Sequence, residues 1–132
     1  MSALPPNDPS IADAVELWRR IPFRHWIPDP DTGGRRITSA AFQDDPDDSP
    51  ISVVIATECT GGLNTLLAGH DGFGVAVLTV GQVRQFGLGV IRHQDDSLPG
   101  HAHITGKKSR SIERKLSTAA RMIQDPIIPA GS

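Results

Sequence analysis

Phe73-Gly74-Val75-Ala76-Val77-Leu78-Thr79-Val80 is the longest apolar run of the chain, and its reading decides the fold. Its length and β-branched content predict a strand buried on both faces, central to a sheet. Ile51 to Ala56 reads the same way, being apolar and β-branched apart from Ser52. Working outward, Leu88–Ile91 and His101–Thr105 are further strand candidates. Upstream, Phe23–Ile27 is bounded by Pro28-Asp29-Pro30 and by the turn signal Asp31-Thr32-Gly33-Gly34. Ile37–Phe42 ends at Asp44-Asp45-Pro46-Asp47-Asp48.

Helical spacing appears at four places. Ile11, Ala14, Val15 and Trp18 form a stripe that Ser10 can cap and Pro22 stops, predicting a helix that ends near Arg20. Leu63, Leu66 and Leu67 mark a short helix closed by Gly69, and Val83 with Phe86 a helical turn before Gly87. The last helix carries Ile112, Leu116, Ala119, Ala120 and Ile123 on one face and ends before Pro126. The pattern predicts an α+β fold: a single domain over residues 10–124 with a mixed sheet of about five to six strands and about three to four short helices. Residues 1–9, rich in Pro, read as a loose, disordered tail and 125–132 as a C-terminal tail. Ile127 and Ile128 lie in the second, where two adjacent β-branched residues should fold back or dock on a partner, making a homodimer a candidate assembly.

With 132 residues the chain suits one domain. A single cysteine, Cys59, excludes an intrachain disulfide and fits a reducing compartment. The start of the chain lacks the basic and apolar regions of a signal peptide, and no apolar run approaches the ~20 residues that span a bilayer, so a cytoplasmic protein without membrane contact is expected. The formal net charge of −2 argues against nucleic-acid binding driven by whole-protein charge, though not against a local patch.

Charge is unevenly placed. Residues 107–121 hold six Lys/Arg against one acid, Glu113, whereas residues 1–106 hold seven against thirteen. Lys107, Lys108 and Arg110 stand at a predicted helix start, where the macrodipole is already positive and carboxylates are preferred. Backbone N–H groups there, with Lys107, Lys108, Arg110, Arg114 and Lys115, form a candidate anion-binding surface for nucleic acid, a nucleotide or an acidic protein face. A solvated basic face is the plainer reading.

His101 and His103, two apart on a strand, point to one face with Cα atoms roughly 6.5–7 Å apart. They are candidate general acid/base groups of a phosphoester-cleaving enzyme of nuclease type, with Lys107 stabilising the anionic transition state. A transition metal would require a third ligand from elsewhere, and the spacing matches no usual zinc pattern, so no metal site and no cofactor is assigned. Thr60-Gly61-Gly62-Leu63-Asn64-Thr65 lies where a phosphate loop would, without its Lys-Ser/Thr ending; a tight turn is the simpler reading. Cys59 beside it is a nucleophile candidate or a small buried residue. The acidic loop 44–48 lacks calcium-loop spacing, and Gly72-Phe73-Gly74 leads into a strand, not a dinucleotide-binding helix.

Three resemblances accompany these readings. His103-Ile104-Thr105 resembles the His-x-Thr element of two-histidine phosphoesterases, which use two copies where this chain has one. Arg24, Ser39 and Glu58, on or just after successive strand candidates, resemble the Arg, Ser, Glu order of some ADP-ribosyltransferases. Gly33-Gly34-Arg35-Arg36, Ser39-Ala40-Ala41-Phe42, Ser52-Val53 and His101-Ala102 with Gly106-Lys107-Lys108 look like a group of small uncharacterised bacterial proteins, over Leu17 to Arg121. That resemblance implies a bacterial cytoplasmic setting and no activity.

Overall fold

Leu17 and Ile21 are buried on one face of an extended segment, and Trp18 and Arg20 lie on the other, so residues 16–21 form a strand where helical spacing predicts a helix. In the computed structural model, which describes residues 5–43, 50–93 and 98–127, this strand β1 (Glu16–Ile21) is hydrogen-bonded on both sides. The same residues satisfy both periods. Two flanking ladders, available only in the folded chain, select the strand. Seven more strands follow: β2 (Trp26–Pro28), β3 (Arg35–Ile37), β4 (Ile51–Ile55), β5 (Gly74–Thr79), β6 (Gly89–Arg92), β7 (His101–Thr105) and β8 (Arg121–Gln124). The helices are α1 (Leu63–Leu67), α2 (Val80–Gln85) and α3 (Arg110–Ala119).

The fold is α+β, with a six-stranded sheet in the order β6-β7-β4-β1-β5-β8 and a separate β2-β3 pair. Of the mixed pairing expected from sequence, only antiparallel ladders occur among these strands. One face of the large sheet carries the main core. Leu17, Ile21, Val53, Ala76, Leu78, Val90, Ala102 and Ile104 pack there against Val80 and Val83 of α2, Leu116 of α3, and Ala41 and Phe42. The opposite face has a smaller cluster of Val54, Val75, Cys59 and Leu66 with Trp18, Leu63, Leu67 and Leu98. Helix α1 covers that face only in part, and the β6-β7 end of it carries the histidines.

Two other segments differ from expectation. Residues 37–42 are not one strand: β3 ends at Ile37, and Ser39–Phe42 is a 3-10 turn that buries Ala41 and Phe42. The last helix stops at Ala119; Ala120 is extended (ψ 137°), and the chain returns as β8 along β5. Ile123 therefore leaves the helical stripe and is 37% exposed.

Residues 6–8 bond to the sheet, and Ile127 to the turn before β5. Asn7 Oδ1 accepts from the Val90 N–H at 3.1 Å, Asp8 N–H donates to Val90 O at 2.8 Å, and the Thr105 hydroxyl donates to Pro6 O. Residues 6–8 thus cover the β6 edge, which otherwise presents open hydrogen-bonding groups. Gly89 is required there because a Cβ would lie 2.2 Å from Pro6 O. At the other end Ile127 N–H donates to Gly72 O at 2.9 Å while its side chain is 69% exposed. Ile128 and the acidic loop 44–48 lie outside the described residues. No helix among the described residues is long and apolar enough to cross a membrane.

Candidate functional site: a three-imidazole cluster

Antiparallel pairing of β6 and β7 sets Ile91 opposite His103. One step of two residues along each strand then brings His93 opposite His101, and His93 N–H donates to His101 O at 2.9 Å. Side chains two apart share a face, so three imidazoles meet there. The His93 and His103 rings stack with centroids 4.5 Å apart; His101 lies edge-on to both, at 5.0 Å from His93 and 5.1 Å from His103. One ring nitrogen from each can be chosen so that all three lie within 4.8 Å of one another. His93 is exposed and the other two are half-buried.

The surroundings fix the rings. His101 Nε2 is 3.1 Å from Ser52 Oγ on β4, the strand beside β7. Entry into β7 depends on Gly100, which has φ +81° and whose carbonyl accepts from Ile55 N–H at 2.8 Å. A Cβ there would also lie 2.9 Å from Ile55 O. Burial, then the neighbouring His93, His101 and Lys108, hold the His103 pKa below its ordinary 6.5. His103 is therefore neutral at pH 7, with a lone pair to donate.

The other sequence candidates disperse. Lys107 is exposed, and the lysine whose charge bears on His103 is Lys108, whose Nζ donates to Ile104 O at 2.7 Å. Arg110, Arg114 and Lys115 are exposed on α3, which packs on the main-core face, opposite the imidazoles. The Ser109 hydroxyl caps α3 by accepting from Ile112 N–H. Arg114 and Lys115 border a groove of about 430 Å3 with Phe86, Ser111, Thr118 and Ala119. Cys59 is buried, its thiol pushed up by desolvation, the opposite of what an activated nucleophile requires. Gly61 and Gly62 both have positive φ, as in a tight turn. Glu58 is paired with Arg92 at 2.7 Å, Ser39 opens the 3-10 turn, and Arg24 lies in a separate cleft.

That cleft, about 380 Å3, was not legible in the sequence. It gathers Arg19, Arg20, Arg24, His25 and His70, together with Ser52 at its inner end. Arg20 donates to Leu66 O at 3.1 Å, closing the end of α1. Burial lowers the Arg20 pKa. Burial, then Arg24 and Arg19, lowers that of His25; burial, then Arg20, lowers that of His70. A histidine whose folded pKa is depressed binds fewer protons than it does in the unfolded chain, so its stabilisation is complete above the unfolded value of 6.5 and is lost as pH falls through the folded value. The thermal midpoint should decline between about pH 7 and about pH 5. A His25→Gln/His70→Gln protein should flatten that decline in calorimetry; an unchanged slope would show that these two rings do not contribute to it.

No family profile, curated protein or solved structure matches the chain, so the imidazole cluster and the cleft stand on their geometry.

Proposed function

We propose that the protein binds a divalent transition-metal ion of the zinc class through His93, His101 and His103. The observation that carries this reading is the convergence of three imidazole nitrogens within 4.8 Å on one sheet face. Zinc takes histidine nitrogen at about 2.0–2.1 Å in tetrahedral geometry, which sets ligand nitrogens about 3.4 Å apart. Binding therefore requires the stacked His93 and His103 rings to reorient so that their in-plane lone pairs meet at the ion. His93, exposed and just beyond the end of β6, is the ligand with room to swing.

Three features suit the site to an ion. His103 is held neutral, so no proton has to be displaced from it near pH 7. A His101 ring that donates Nε2–H to Ser52 presents Nδ1 to the ion, the outer-partner arrangement that commonly orients histidine ligands. Three neutral protein ligands leave the fourth position for water or an anion, as in zinc sites that bind exchangeable groups. Ligation also changes the part given to His101 and His103 by the phosphoester-cleaving reading. An imidazole whose lone pair is shared with a metal cannot take up a proton, so acid/base work would pass to a metal-bound water.

Calorimetric titration of chelator-treated protein with zinc should show one equivalent bound near neutral pH. Binding to the folded state alone should raise the unfolding free energy by about 2.7 kcal/mol at a free zinc concentration 100 times Kd. Absence of saturable binding, or the same binding by a protein with all three histidines replaced by alanine, would overturn the proposal.

A further inference from the structure

The cleft beside Ser52 is lined by two guanidinium side chains, Arg20 and Arg24, four residues apart in the chain. Among the described residues neither Arg20 nor Arg24 has a carboxylate partner; the ion pairs there involve Arg84, Arg92 and Arg121. Arg20 is partly buried, and among the described residues its acceptor is the neutral carbonyl of Leu66. Removing a guanidinium from water without an anion is costly. His25 and His70 also line it, and each neutral ring can offer one N–H. Pro22, Ala41 and Phe73 supply apolar wall. The enclosed volume, about 380 Å3, is in the range of small-molecule sites.

We infer that this cleft binds the phosphate group of a small phosphorylated molecule, with Arg20 and Arg24 as its charged anchors and His25 and His70 as additional donors. Guanidinium groups match phosphate oxygens in paired, charge-assisted hydrogen bonds, whereas a lysine offers only a point charge. The apolar wall formed by Phe73 and Pro22 favours a phosphomonoester over the bare ion. The site is separate from the α3 cations, none of which lines it, and it adjoins the imidazole cluster through Ser52 and Arg20.

The test uses the whole protein freed of metal by chelation, titrated with inorganic phosphate and separately with phenyl phosphate while amide and histidine resonances are followed. Both ligands should saturate, phenyl phosphate more tightly, with the largest shifts at His25, His70 and the Arg20 and Arg24 backbone. Arg24→Glu, at an exposed position, should weaken both roughly tenfold or more. Arg20→Lys keeps the charge and the contact to α1 within reach, and should weaken binding less. A Lys107→Glu/Arg110→Glu protein should bind as the unaltered one does. No saturation in the millimolar range, unchanged affinity in Arg24→Glu, or loss of binding in the α3 variant instead would overturn the inference. Phosphate binding that appears only after zinc is added would also overturn it, since the anion would then be on the metal. None of these results bears on zinc affinity, which is measured without phosphate.

Discussion

Replacing His103 by alanine should weaken zinc binding by about a hundredfold or more, since losing even an outer partner of a ligand typically costs 10–100-fold. His103 stacks on His93 and lies edge-on to His101, so its removal leaves two nitrogens that cannot define a tetrahedral site. His93→Ala should cause a comparable loss. That variant is the more informative one, because His93 is exposed and outside both hydrophobic clusters, so the fold should be unaffected. Competition titration against a chromophoric chelator measures both. Full affinity in His93→Ala would reduce the cluster to a pair of strand histidines and remove the basis for a metal site.

Phe42→Ala should destabilise the protein by about 3–5 kcal/mol, a large part of the 5–15 kcal/mol typical of a whole domain. Phe42 is 0% exposed in the main core, on the turn that meets α3. The Arg19 guanidinium lies 5.7 Å from its ring centroid. Truncation removes a large apolar surface and leaves a cavity between sheet and helix. Because this core is on the sheet face opposite the imidazoles, the folded fraction should keep its zinc affinity. Chemical denaturation measures the first effect and titration the second. A loss below about 1 kcal/mol would show that residues 39–42 do not belong to the core.

The central strands were legible because their signal is local. Ile51–Ile55, apart from Ser52, and Val75–Val77 are short runs of β-branched or small apolar residues, the composition and length of a buried strand. Residues 10–21 were misread for the converse reason: Ile11, Ala14, Val15 and Trp18 fit one period while Leu17 and Ile21 fit another, and pairing with β4 and β5 decides between them. Strand β8 was hidden because Ile123 continues the stripe of Ile112, Leu116 and Ala119, and nothing local marks the break at Ala120. In the site, His101 and His103 were visible as a pair two apart. His93 was not, since its place depends on hairpin register. The signal was nevertheless present: with Leu88–Ile91 paired antiparallel to His101–Thr105, setting His103 opposite Ile91 carries His93 to His101. The cleft was hidden because Ala41, Ser52, His70 and Phe73 come from separate parts of the chain and meet the Arg19–His25 stretch only through the fold.

The most direct test of the metal site is X-ray absorption at the zinc edge on protein loaded with one equivalent of zinc. The account predicts a nitrogen/oxygen shell at about 2.0–2.1 Å with outer-shell scattering that fits three imidazoles, and the loss of one imidazole in His93→Ala. A spectrum fitted by oxygen ligands alone, by sulfur from Cys59, or by the same three imidazoles after His93 is replaced would contradict it.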